Sequence, residues 1–162
     1  MKVTKERLEQ MAYELLAQRG VSIQDIADIV YTLQEKYVPH LTMDLCIESV
    51  QSVLRKREVQ HAVITGIEID MAAERGNLSP ELTEILMRDE GLYGIDEILI
   101  LSIVNIYGSI GLTNFGYVDK LKLGKIKELD SQKGSHCNTF IDDIVGAIAA
   151  AAASRIAHAN GK

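Results

Sequence analysis

Two acidic pairs, each opening a long run without charge, constrain this chain more than any other feature. They are Ile95-Asp96-Glu97-Ile98-Leu99-Ile100-Leu101-Ser102-Ile103-Val104 and Ile141-Asp142-Asp143-Ile144-Val145-Gly146-Ala147-Ile148-Ala149-Ala150. A carboxylate beside a segment destined for burial meets a large desolvation cost unless a cation, a hydrogen-bond donor or water compensates it. Two such pairs in one chain point to a shared divalent metal.

The frame around the pairs reads as helical. Apolar residues make up 47% of the 162 positions, enough for one sizeable core, and two prolines with 5% aromatics favour helices over a β-sandwich. The expected architecture is all-α, a single-domain bundle of about six or seven helices over residues 1–162 with a buried central helix. A net charge of −6 provides no electrostatic footprint for nucleic acid. Cys46 and Cys137 are too few for a disulfide framework and lie in no zinc-type cluster. The amino terminus has no apolar signal core, so a cytoplasmic protein is expected. Residues 98–118 hold no charge over 21 positions, a length that approaches a membrane span of about 20 residues. Ser102, Asn105, Gly108, Ser109, Gly111, Thr113, Asn114 and Gly116 interrupt the stretch, which predicts a buried helix followed by a Gly-rich bend at 108–116.

Helix signals punctuate the chain. A first helix spans Thr4 to Arg19 and stops at Gly20, and Ser22 with Asp25 forms a capping box for a second that ends near Tyr37, ahead of Pro39. Thr42 caps a third helix, whose end carries Arg55, Lys56 and Arg57, a trio that reads as a solvated helix terminus before it reads as a phosphate site. A fourth continues from Val59 towards Gly76 with Glu68, Asp70 and Glu74 on it, and Ser79-Pro80-Glu81 starts a short fifth. Thr139 with Asp142 predicts a second capping box for the last helix, after a loop at 131–138.

Acids in a first helical turn are favoured by the dipole whatever the function, so each pair alone also reads as a capping device. Recurrence changes the balance. Between the pairs lie Asp119 and Lys122 at a three-residue helical spacing, then Asp130. Mg²⁺ takes oxygen ligands and keeps waters or substrate phosphate, so several acids around one lysine suit a metal-and-phosphate site. His136 is either a general acid for a leaving alkoxide or a plain loop residue.

Three blocks in order resemble the phosphatidylglycerophosphatase A family. Asp89-Glu90-Gly91-Leu92-Tyr93-Gly94-Ile95-Asp96-Glu97 is similar to its D-x-G-x-x-x-x-D-E, and Asp119-Lys120-Leu121-Lys122 with Ile126 and Asp130 to its D-x-x-K-P-x-P-I-x-x-x-D. Ile141-Asp142-Asp143 occupies the place of its closing I-D-D, while Leu123 and Lys125 stand where the family has prolines. The resemblance implies a Mg²⁺-dependent phosphatase that removes the terminal phosphate of phosphatidylglycerophosphate. It implies metal ligands among Asp89, Asp96, Glu97, Asp119, Asp142 and Asp143, and catalytic roles for Asp96, Lys122, Asp130 and Asp142. The rival expectations are a phosphatase for a soluble phosphomonoester and a catalytically silent helical protein that binds a partner or an ion.

Two partner expectations accompany this reading. A lipid substrate calls for peripheral contact with the inner face of the membrane, through the basic segment Lys120-Leu121-Lys122-Leu123-Gly124-Lys125-Ile126-Lys127, which reads otherwise as a solvated helix face with Lys122 turned inward. The alanines of the last helix permit close helix approach, inside one chain or across a homo-oligomer interface.

Overall fold

The computed structural model describes residues 2–132, 134 and 136–160. Its helices follow the expected signals through the first half: α1 (Lys5–Gln18), α2 (Ile23–Gln34), α3 (Met43–Leu54), α4 (Arg57–Glu74) and α5 (Pro80–Met87). Thr4, Ser22, Thr42 and Ser79 each cap the helix that follows with a side-chain oxygen, and the Ser22/Asp25 box is complete. The second half comprises α6 (Ile95–Leu99), α7 (Leu101–Val104), a 3₁₀ turn (Asn105–Tyr107), α8 (Gly108–Leu121), α9 (Lys125–Ser131) and α10 (Ile141–Asn160). All-α architecture is thus the fold, with more segments than expected because the uncharged stretch is broken rather than continuous. Lys133 and Ser135, within the expected loop at 131–138, lie outside the described residues.

α10 is the centre of the molecule. Every residue from Ile141 to Ser154 is buried, and α2, α3, α4, α7, α8 and α9 all pack against it. A helix apolar on all sides has to be enclosed on all sides, and Ala147 and Ala149–Ala153 let the surrounding helices approach closely. The alanines are therefore used inside the chain. Polar groups on α10 and its neighbours are satisfied across the contacts: Ser49 donates to the Ala152 carbonyl at 2.8 Å and Ser154 to the Tyr107 carbonyl at 3.1 Å. Cys46 and Cys137 are free thiols in the core.

Three expectations need correction. The buried central helix is α10 and not the uncharged stretch 98–118, in which Ile100, Ile103, Val104, Gly111, Phe115 and Val118 are the buried positions. Ile95–Leu121, which extends that stretch at both ends, is long and apolar enough to cross a membrane by length and composition, and exposes Ile95, Ile98, Ile110, Leu112, Tyr117 and Leu121. The bend sits earlier than the glycines suggested. It falls at Ile100–Tyr107 and ends on Gly108 at φ 73°, after which the Gly-rich run 108–116 is helical and α8 packs along α10, its Phe115 and Val118 lying against Gly146. The third correction concerns the start of α10, where no Thr139/Asp142 box forms. Thr139 donates to the Leu86 carbonyl at 2.6 Å, the Asp142 amide donates to the Asn138 carbonyl, and the cap comes from α4. Asp70 accepts from the amides of Phe140 at 3.0 Å and Ile141 at 2.9 Å.

A second clamp lies one helical turn along α4. Arg19, at the end of α1, pairs with Glu74 at 2.6 Å and donates to the Cys137 carbonyl and to Asn138 Oδ1, while Glu74 accepts from the Cys137 amide at 2.7 Å. α1 and α4 together thereby hold the loop that delivers the second acidic pair.

Gly66 lets α4 lie directly on α10. A β-carbon there meets Ile144 Cδ1 at 2.5 Å, Leu99 Cδ2 at 2.9 Å and Phe140 Cβ at 3.1 Å. Gly66→Val is expected to destabilise the protein by about 1–3 kcal/mol through overpacking, read as a lower denaturant midpoint at unchanged slope. Asp70→Ala is expected to cost about 2–4 kcal/mol, because it removes a helix cap and leaves two buried amides without an acceptor. A loss below about 0.5 kcal/mol, the scale of an ordinary surface change, contradicts the capping role.

Candidate functional site

The two acidic pairs meet in one cleft. Asp89 from the loop after α5, Asp96 and Glu97 from α6, Asp119 from α8, Lys122 from the α8–α9 turn, Asp130 from α9, and Asp142 and Asp143 from α10 line a cavity of about 410 Å³. Glu97 is its most exposed acid, and Asp142 and Asp143 are nearly buried, at 7% and 6% exposure. Within it, carboxylate oxygens of Asp89, Asp130 and Asp142 all lie within 4.8 Å of one another. Asp130, expected only in a catalytic role, thus belongs by geometry to the same cluster as two of the expected metal ligands. Asp96 is set against Asp143, to which it hydrogen-bonds, and the Asp142 carboxylate also accepts the Asp143 amide at 2.7 Å.

The electrostatics of the cleft are those of crowded acids with little compensation. Burial pushes both α10 carboxyls well above the ordinary carboxylate range. Lys122 restrains the rise at Asp142 while Asp89 and Asp130 add to it, and the rise at Asp143 is reinforced by Asp142, Asp96 and Asp119. Burial opposes the charge on Lys122 itself, but its hydrogen bond to Asp119 and the charges of Asp142, Asp119 and Asp130 outweigh that and raise its pKa. The Lys122 ammonium sits 3.0 Å from Asp119 Oδ1 and 4.0 Å from Asp142 Oδ2.

Lys122 reaches this position through unusual backbone. It closes α8 in the left-handed region at φ 49°, and Asp89 is left-handed too, at φ 52°. For a lysine that conformation costs roughly 1–2 kcal/mol, and such strain concentrates where a side chain must be aimed.

A narrower recess adjoins the cleft, lined by Asp89, Asp130, Asp142, His136, Asn138 and Thr139 among others. His136 is exposed, with Nδ1 3.8 Å from Glu74 Oε1. Its neighbour Cys137 is no nucleophile: burial, then the nearby Asp70 charge, drive its thiol up to about 12.

Asp70, Glu74 and Arg19 were not singled out from sequence, although they set the position of α10. A signal existed for Asp70. It continues the apolar stripe of Val59, Val63 and Ile67 along α4, where a carboxylate signals a buried acceptor. Burial pushes Asp70 up to about 7 against the opposing pull of the Phe140 and Ile141 amides, the Cys137 thiol and Arg19.

The chain is similar to proteins known largely by sequence and structure. It is 58% identical to the uncharacterized protein YpjQ of Bacillus subtilis, covering 97% of this chain and 88% of that one. A solved structure of the low temperature requirement C protein from Listeria monocytogenes superposes with a TM-score of 0.94 at 56% identity, covering 98% of this chain and all of that one. A protein of unknown function from Bacillus stearothermophilus gives a TM-score of 0.90 at 59% identity, covering 93% and 94%. The profile of phosphatidylglycerophosphatase A matches residues 16–158, which takes in the first helix end, both clamps and every acid of the cleft. The chain belongs to the phosphatidylglycerophosphatase A family.

Proposed function

We propose that this protein is a Mg²⁺-dependent phosphatase acting on a phosphomonoester, with phosphatidylglycerophosphate as the preferred substrate, at the inner face of the membrane. The observation that carries the reading is the convergence of Asp89, Asp130 and Asp142 beside Lys122 from four separate parts of the chain. The donor set fits the ion. It is all carboxylate oxygen and nearly buried at Asp142, whose pKa is raised by burial and further by the charges of Asp89 and Asp130, a repulsion that a divalent cation relieves. Asp89, Asp130 and Asp142 would hold the metal, with Asp96, Glu97, Asp119 and Asp143 around it. When bound, Mg²⁺ supplies Lewis acidity to the phosphate and neutralises the acids that hold it.

Lys122 offers a point charge to a phosphate oxygen at the open side of the cleft, kept ionised by Asp119 and Asp142. Hydrolysis forms a bond from a water oxygen to phosphorus, breaks the bond from phosphorus to the ester oxygen, releases one proton from that water and delivers one to the departing alkoxide. His136, in the adjoining recess, is placed to hold that proton, with Glu74 beside its Nδ1.

The lipid substrate is supported by the rim. Leu92, Ile95 and Ile98 stand exposed on the segment that carries Asp89, Asp96 and Glu97, an arrangement suited to an acyl-bearing substrate or a bilayer surface. The basic segment contributes less than its composition suggests, since Lys122 turns into the cleft and Lys125 pairs with Glu128 at 3.0 Å.

Phosphate release from phosphatidylglycerophosphate and from a panel of soluble phosphomonoesters, with and without Mg²⁺, tests the reading. Release is expected with Mg²⁺ alone. Asp142→Asn is expected to lower it by more than the about 10–100-fold typical of an outer metal partner and Asp96→Asn by about that factor, with the helical circular dichroism kept in both. Turnover on soluble esters alone transfers the activity to a soluble substrate, and no turnover on any favours the silent binding protein.

The raised carboxyls also set a pH dependence with a definite sign. A carboxyl whose pKa is higher folded than unfolded binds its proton more tightly in the native state, so stability is lost as pH rises from the ordinary range near about 4 upward. The Mg²⁺-free protein is therefore expected to melt lower at pH 8 than at pH 5, with a smaller difference in Asp142→Asn. Mg²⁺ competes with those protons, so its stabilising shift is expected to be larger at pH 8. A wild-type melt that Mg²⁺ moves at neither pH is the result that removes the metal site.

A further inference from the structure

The far end of α10 carries the opposite charge from the acidic cleft. Lys5 at the start of α1, Arg55 and Lys56 between α3 and α4, and Arg155 near the end of α10 converge on one cavity of about 360 Å³, together with Ser52 and Tyr107. Sequence places these cations in three separate regions, and the Arg55–Arg57 trio alone reads as a solvated helix end. Folding adds Lys5 and Arg155 to it. Asp142 and Arg155 are thirteen residues apart on one helix, which at about 1.5 Å per residue separates the two sites by about 20 Å.

We infer that this cationic cavity is a second, phosphate-binding site, distinct from the acidic cleft and independent of Mg²⁺. Four cations in a protein of net charge −6 are a strong local reversal of sign. Glu48 offsets one of them: it pairs with Arg155 at 3.3 Å, and Ser52 donates to it at 3.3 Å. Among the described residues, no carboxylate forms an ion pair with Lys5, Arg55 or Lys56. The floor is rigid. Tyr107 is partly buried, and its carbonyl lies within hydrogen-bond distance of Ser154 Oγ and His158 Nε2, both on α10. Its phenol reports the same charge, because burial raises its pKa while Arg155 pulls it down.

The donor set selects the ligand class. Two guanidinium forks and two ammonium groups, with the Tyr107 phenol beside them, suit an anion with several oxygens and more than one charge, such as a phosphate monoester or pyrophosphate. The volume suits a small phosphorylated molecule or the exposed headgroup of a phospholipid. In either case phosphate is the recognised chemistry.

The test uses the full chain in EDTA, so that the acidic cleft has no divalent ion with which to hold phosphate, and compares salts at equal ionic strength. Inorganic pyrophosphate at about 10 mM is expected to raise the melting temperature above an NaCl control, with binding also read by calorimetry. The double variant Arg55→Gln/Lys56→Gln removes two exposed charges and is expected to weaken that binding by about tenfold or more. Tyr107→Phe, which keeps the ring, provides a second reading with an expected loss of severalfold. Co-sedimentation with phosphatidylcholine vesicles containing phosphatidic acid separates the sources. Vesicle binding that the double variant loses, with pyrophosphate silent, assigns the site to a lipid headgroup, whereas pyrophosphate binding with silent vesicles assigns it to a soluble ligand. Absence of both, or binding of either probe undiminished in the double variant and in Tyr107→Phe, overturns the proposal. Phosphatase activity plays no part in the readout, so the failure of one site is distinguishable from that of the other.

Discussion

The Asp70 carboxylate, accepting the Phe140 and Ile141 amides from across the core, is the interaction on which the site depends. The start of a helix exposes amides that have no partner within it, and here those amides are buried, where leaving them unpaired is costly. A local cap such as Thr139 satisfies them without fixing the helix against anything else. An acceptor on α4 satisfies them and also sets the position of α10, a turn away from the Arg19–Glu74 clamp on the preceding loop. Asp142 and Asp143 follow immediately, so the geometry of the cleft is inherited from a structural contact that touches none of its acids.

That contact explains how two nearly buried acids are tolerated. A carboxylate pair against an apolar helix is unstable alone, and the rest of the fold is arranged so that the cost remains local. Asp89 and Lys122 accept left-handed backbone to face the pair, and α6, α8 and α9 supply further acids instead of further cations. Acids this poorly matched by positive charge repel one another, and relief of that repulsion is what the proposed hard cation would supply. The clefts at the two ends of α10 therefore divide the charge of the molecule, one acidic and one basic, with an uncharged and fully enclosed helix between them.

The uncharged stretch shows how one composition supports more than one use. Its length and hydropathy meet the requirement for a membrane span, yet Gly108 at positive φ and the 3₁₀ turn before it divide it into pieces. One face of those pieces covers α10 and the other leaves Ile95, Ile98, Ile110, Leu112, Tyr117 and Leu121 at the surface. Leu92, Ile95 and Ile98 lie on the segment that also carries Asp89, Asp96 and Glu97, and they are the part of this surface on which the proposed lipid contact rests.

The sequence by itself determined the helical class, the caps of α2, α3 and α5 and the acids of the cleft, because those properties are local. A serine or threonine before an apolar repeat, a proline in a first turn, or a carboxylate pair ahead of a charge-free run carries its meaning within a few residues. Tertiary structure decided what depends on approach between distant segments. It chose α10 over the uncharged stretch as the buried centre, since only α10 has side chains small enough to be enclosed from every side. It replaced the Thr139 cap with Asp70, brought Asp130 to Asp89 and Asp142, and gathered Lys5, Arg55, Lys56 and Arg155 around one cavity. None of these pairings has a sequence spacing to reveal it, because the distances that matter are set by packing across the core.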